Sequence, residues 1–134
     1  MKVLLSIKPE YADKIFNGEK KFEFRRSLFR NNNVTTVVVY ASSPIQKVIG
    51  EFEIDKIINE DLARLWQKTK KYSGISEDFF YEYFKSKDKG YAIKIKKAIR
   101  YSEARSLKEK YNISPPQSFV YLSQSVDDSL CYQV

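Results

Sequence analysis

KVLLSI, at Lys2–Ile7, is a short apolar run that Pro9 stops, and it predicts a first β-strand. PEYADKIFNG then switches period: Ala12, Ile15 and Phe16 recur at helical spacing, Pro9 suits the first turn and Gly18 the C-terminal cap. KKFEFRR returns to alternation, with Phe22 and Phe24 against Glu23 and Arg25, and predicts a half-buried strand. After Asn31-Asn32-Asn33, VTTVVVYA is β-branched on both faces and predicts a central strand. KVIGEFEI sets Phe52 and Ile54 against Glu51, Glu53 and Asp55, and Gly50 within it points to a bulge or a close backbone approach.

From Asn59 the spacing of Leu62, Leu65, Trp66 and Thr69 predicts a helix, with Asn59 as its N-cap before Glu60 and Asp61. A second helix is expected from Ser76, its acids Glu77 and Asp78 at the positive end of the dipole. Its apolar stripe, Phe79, Phe80, Tyr83 and Phe84, reads as core packing. GYAIKIKKAIRY alternates again, with an irregularity expected near Lys97. Ser106 and Glu109 have capping-box spacing for a short helix, and SPPQSFVYL leads into a last short strand. This order is neither a βαβ alternation nor a bundle. It predicts an α+β fold built on a small, mostly antiparallel β-barrel with flanking helices.

The length of 134 residues suits one compact domain, taken as 1–122, followed by a polar tail over 123–134. No apolar run approaches a membrane span or a signal peptide, so the expectation is a soluble, cytoplasmic protein with no membrane partner. The sequence has no histidine and a single cysteine, Cys131, to which no role is given. Metal chemistry through Cys or His is therefore not expected, nor is any cofactor. Oligomeric state and cognate ligand stay open.

The formal charge of +7 is local rather than general. Residues 85–110 hold ten basic and three acidic side chains, and the remainder balances. Lys94 and Lys96 lie at the centre of this window. It is either a solvated face or an attraction for a polyanion such as a nucleic acid.

NGEKKFEFRR carries the candidate chemistry. With both phenylalanines facing the core, Glu23 and Arg25 share the other face, roughly 7 Å apart along the strand. Lys20 has the parity of the phenylalanines but sits at the turn out of the helix, where its side chain can swing over the strand. A cation, an acid and a planar fork so close together suit a polar ligand such as a base edge beside a phosphate. The plain alternative is an exposed ion pair of little energy.

Gly18-Glu19-Lys20-Lys21-Phe22-Glu23-Phe24-Arg25 resembles the GxKxxExR signature of the ASCH domains, a branch of the PUA-like superfamily. LLSIKPEYADKIFNGEKKFEFR, VYASSPIQKVIGEFEI, GYAIKI and PPQSFVYL are similar to successive blocks of small stand-alone ASCH proteins, in order, up to Leu122. The resemblance implies a barrel-like fold whose cleft binds RNA or another nucleic acid, single-stranded or modified, with Lys20, Glu23 and Arg25 in it. Lys8, Ser42, Ser43, Gln117 and Ser118 lie in the other similar blocks and are added as binding candidates. Turn chemistry before Pro44 and capping after Pro116 account for the serines and Gln117 equally well. Tyr40, Tyr91 and Tyr121 are candidates for stacking on a base, with core packing as the alternative.

Two enzymatic readings attach to the same resemblance. Some ASCH proteins are acetylcytidine amidohydrolases that use the signature lysine with a nearby threonine and a later glutamate; here Glu23 stands in place of that threonine. A ribonuclease activity is also proposed within the family, and without histidine it would fall to Lys20, Glu23 and Arg25. An acid and two cations tend to keep one another charged, so the first expectation is an RNA- or nucleotide-binding module, with the enzyme as the alternative.

Overall fold

The computed structural model of the protein describes residues 1–122. Cys131 and the tail expected over 123–134 lie outside the described residues. In chain order the elements are β1 (Lys2–Ile7), α1 (Pro9–Phe16), β2 (Phe22–Arg25), β3 (Thr36–Ala41), β4 (Lys47–Asp61), α2 (Leu62–Thr69), a 3-10 turn (Lys70–Tyr72), α3 (Glu77–Tyr83), β5 (Lys89–Arg105), α4 (Leu107–Tyr111) and β6 (Phe119–Leu122). The six strands form one mixed sheet in the order β2-β5-β4-β3-β1-β6. Among the described residues only β1 and β3 pair in parallel.

β3 is central, between β4 and β1, and Val37, Val38 and Val39 are all fully buried, as β-branching on both faces predicts. One face of the sheet packs Leu5, Val39 and Phe52 against Ala12 and Ile15 of α1. The other packs Leu4, Val38 and Val48 against Leu107 and Tyr111 of α4. A third cluster joins Phe22 and Phe24 of β2 to Leu65, Trp66, Phe80 and Phe84, and so holds α2 and α3 on the β2–β5 end of the sheet. Each buried ring contributes about 2–3 kcal/mol.

Gly50 answers to both readings of its position. Val39 faces Gly50 while Tyr40 faces Val48, leaving Ile49 as an extra residue. A Cβ on Gly50 would lie 2.5 Å from Phe16 Cζ and 2.6 Å from the Ile99 carbonyl, so the backbone must be bare for α1 to seat. The irregularity near Lys97 is also present: Glu53 faces Lys97 and Ile54 faces Ile95, so Lys96 is unpaired across the ladder.

Two expectations need correction. Asn59 does not cap α2. β4 runs on to Asp61 because Ile57, Asn59 and Asp61 pair with Ile93, Tyr91 and Lys89, and Asp61 is the cap, accepting from the Arg64 N–H at 3.0 Å. Among the described residues the sheet also does not close into a barrel by strand pairing: β2 and β6 are its two edges. Among the described residues each has only four, and Pro115 and Pro116 ahead of β6 offer no N–H for a longer ladder.

Candidate functional site

At the end of β1, Lys8 takes an extended conformation (φ −60°, ψ 140°) and Pro9 opens α1. The helix ends at Asn17, and Gly18 turns the chain with φ +88°. The Lys20 N–H then donates to the Lys14 carbonyl, and the Lys21 N–H to the Tyr72 carbonyl. These bonds aim the Lys20 side chain inward, beneath the segment after the 3-10 turn.

There Lys20 is 3% exposed. Its Nζ donates to the Ser73 carbonyl at 2.8 Å and lies 4.7 Å from the centre of the Phe24 ring. Gly74 makes room for it: with φ +71°, a Cβ at Gly74 would come within 2.7 Å of both Cβ and Cγ of Lys20. Burial lowers the Lys20 pKa to about 8; the Glu23 carboxylate opposes that shift, and Lys14 adds to it. Among the described residues no carboxylate forms a salt bridge with Lys20.

Glu23, 7% exposed, accepts from Arg25 Nη1 at 3.1 Å. Arg25 does more than pair with it. Nη1 also reaches the Ser6 carbonyl at 3.5 Å, and Nη2 donates to the Ser118 carbonyl at 3.0 Å and to Ser118 Oγ at 3.2 Å. The guanidinium therefore spans from the β2 edge to β1 and to the approach of β6, across the gap that strand pairing leaves open.

A cavity of about 430 Å³ opens over these groups. It is lined by Lys20, Glu23 and Arg25 together with Lys8, Gln117 and Ser118. Ser42, Ser43, Lys94 and Lys96 are not part of it. Ser42 and Ser43 belong to the turn after β3, where the Ser42 N–H donates to the Ile7 carbonyl and the Ser42 carbonyl accepts from Ile45. Lys94 lies 3.6 Å from Asp55 on the surface of β5, and Lys96 is at the ladder irregularity. Tyr40 is a core residue, and the Tyr121 hydroxyl accepts from the Arg30 and Asn31 N–H groups.

Sequence reading missed the aromatic wall. Tyr11, Phe79 and Tyr83 also line the cavity, while Phe80 and Phe84 fill the core as expected. The signal was present in the spacing: Phe79 and Tyr83 are four apart on one face of α3, one residue round from Phe80 and Phe84. The Tyr83 hydroxyl donates to the Phe24 carbonyl at 3.1 Å. Burial, reinforced by Glu23 and opposed by Arg25, raises its pKa; burial, Glu10 and Glu23 raise that of Tyr11. Among the described residues no three His, Cys, Asp or Glu side chains cluster to hold a metal ion, and no helix is long and apolar enough to cross a membrane.

Fold and cavity together define a class: an α+β domain with one mixed sheet, whose edge strand and the turn before it carry a carboxylate, a guanidinium and a lysine into a single concave site. The chain belongs to the ASCH domain family, whose sequence profile matches residues 5–125. It is 30% identical over 130 residues to an ASCH domain-containing ribonuclease of Zymomonas mobilis, covering 95% of this chain and 88% of that one. The crystal structure of ASCH from Zymomonas mobilis superposes with a TM-score of 0.88 at 28% identity, over 96% of this chain and 92% of that one. A Ureaplasma parvum protein named large ribosomal subunit protein uL22 is 32% identical over 120 residues. The match takes in 90% of this chain but only 39% of that protein, so the chain spans about two fifths of that relative's length.

Proposed function

We propose that the chain recognises one nucleotide of a single-stranded RNA in the cavity lined by Lys20, Glu23 and Arg25. The observation that carries this reading is the placement of a buried ammonium and a buried carboxylate in one open hollow of about 430 Å³, a volume that suits a single nucleotide. Lys20 meets a phosphate or a base carbonyl, and Glu23 accepts from a base amine. Tyr11, Phe79 and Tyr83 offer ring faces to the base. Arg25, with both Nη atoms engaged by protein acceptors, holds Glu23 in place and leaves the direct contact to Lys20. Lys20→Met keeps the volume of the stem and removes the charge. It should weaken binding of a short RNA at least tenfold while the fold is retained, and unchanged affinity refutes the reading.

A second reading, RNA cleavage, is favoured by one feature of Lys20 and by the Zymomonas relative. With a pKa of about 8, roughly a tenth of Lys20 is neutral at pH 7 and able to accept a proton from a ribose 2′-hydroxyl. The 2′-oxygen then bonds to phosphorus, the bond to the 5′-oxygen breaks, and that oxygen takes up a proton from solvent as the cyclic phosphate forms. Turnover of a labelled RNA should rise with pH up to about 8 and vanish in Lys20→Met; wild-type protein that leaves RNA intact removes this reading and leaves recognition standing.

A further inference from the structure

Beside the cavity runs a second groove, of about 490 Å³, and the two share Arg26 and Ser27 as lining residues. We infer that this groove carries the RNA strand onward, holding the nucleotides that adjoin the one in the cavity; this rests on the RNA reading of the cavity.

Four cations line it: Arg26 and Arg30 from the segment after β2, and Lys87 and Lys89 from the turn into β5. All four are exposed, and Asp88 is the only acid among the lining residues. Among the described residues none of the four forms a salt bridge with a carboxylate. Their charge is unspent, unlike that of Lys85 and Lys94, which stand near Glu82 and Asp55.

The groove is also shaped. Arg26 Nη2 donates to the Lys85 carbonyl at 3.1 Å, tying the two cationic segments together across it. The Arg30 N–H donates to the Tyr121 hydroxyl at 2.9 Å, which fixes where that loop crosses β6. Phe29 is buried beneath, and Tyr91, half-buried, lines the groove from the start of β5. A row of unpaired cations with a ring at its floor fits a strand of phosphates and unstacked bases. This also divides the basic window of the sequence: Lys87 and Lys89 face the groove, whereas Lys94 and Lys96 do not.

The test is a length series of mixed-sequence 2′-O-methyl oligonucleotides, which cannot be cleaved through the 2′-oxygen, titrated by fluorescence anisotropy at several salt concentrations. An octamer should bind at least tenfold tighter than a dimer. The Lys87→Ala/Lys89→Ala variant, checked for an unchanged melting temperature, should lose most of that gain, leave dimer affinity intact and reduce the octamer's salt slope by about 1.4. If the octamer gains nothing over the dimer, or if both lengths weaken equally in the variant, the groove is overturned while the cavity stands. If the dimer fails to bind but the octamer still depends on Lys87 and Lys89, the groove stands and the cavity reading falls. Competition by poly-glutamate as strong as by the octamer would overturn the assignment to RNA.

Discussion

The cavity and the groove beside it hold the same kinds of side chain under opposite conditions. In the cavity Lys20 and Glu23 are almost fully removed from water, and each charge is met by a fixed protein group: the Ser73 carbonyl for one, the Arg25 fork for the other. In the groove Arg26, Arg30, Lys87 and Lys89 stand in solvent with no carboxylate partner among the described residues. Desolvated groups act over hydrogen-bonding distance and resist salt; exposed ones act over a Debye length and are screened by it. Under the RNA reading proposed above, the two regions divide the work, the cavity choosing one nucleotide by shape and hydrogen bonding, and the groove adding affinity without regard to sequence.

The sharpest way to break this contrast is Arg25→Ala. It strands the Glu23 carboxylate in a buried position and removes the link from β2 to Ser6 and Ser118. Removing one partner of a buried pair costs about 3–5 kcal/mol. Chemical denaturation should register a loss of that size, and Glu23→Gln in the same chain should recover part of it. A loss below 1 kcal/mol would mean that the pair behaves as a surface ion pair and that the cavity is no different from the groove.

Lys20 is next, and its effect is read in pH. The folded-state pKa, about 8, lies below the unfolded value of 10.5, because burial disfavours the ammonium. Between these values the unfolded chain binds more protons than the folded one, so this group makes stability rise with pH across that window, by up to about 3 kcal/mol, and adds nothing to the slope below it. Lys20→Met should remove that rise. Tyr11 and Tyr83, whose pKa values are raised, act in the opposite sense from about pH 10 upward in both proteins, so the difference between wild type and variant isolates the lysine. Parallel stability curves from pH 8 to 10.5 would show that Lys20 is not desolvated.

How far these regions could be read from the chain follows from where their parts come from. Lys20, Glu23 and Arg25 were legible because eight residues of local pattern, Gly18 to Arg25, a helix stop and a period-two strand, carry them. The spacing ranks Arg25 with Lys20 as a ligand group; three bonds to Ser6 and Ser118, 19 and 93 residues away, separate the two. Ser73 and Gly74 lie more than 50 residues from Lys20, in a segment with no motif of its own. Asn59 read as a cap since Leu62, Leu65 and Trp66 repeat helically; the pairing of β4 with β5, invisible to any local window, carried the strand on to Asp61. The open sheet was hidden for the same reason, because closure depends on which edges meet.

Gly74→Ala sharpens the comparison from the far side of the cavity. The residue has φ +71°, and a methyl group there meets the root of the Lys20 side chain rather than its mobile end. Backbone strain and displacement together should cost about 2 kcal/mol, with a matching fall in dimer binding. The groove, which Gly74 does not line, should keep its length-dependent gain and its salt slope.

The smallest effect is expected at Lys94 and Lys96, and it checks whether charge alone explains the groove. They belong to the same basic window as Lys87 and Lys89, and a picture built on net charge treats all four alike. Lys94 stands 3.6 Å from Asp55, with both side chains about two fifths exposed, so the pair contributes at most about 1 kcal/mol to stability. Neither Lys94 nor Lys96 lines the groove or the cavity. Lys94→Ala/Lys96→Ala removes the same formal charge as Lys87→Ala/Lys89→Ala, and it should change octamer affinity by less than about threefold at moderate salt, since neither residue touches the groove and salt screens exposed charges. A loss equal to that of the groove variant would mean that the whole strand face attracts the polyanion and that the groove has no privileged path.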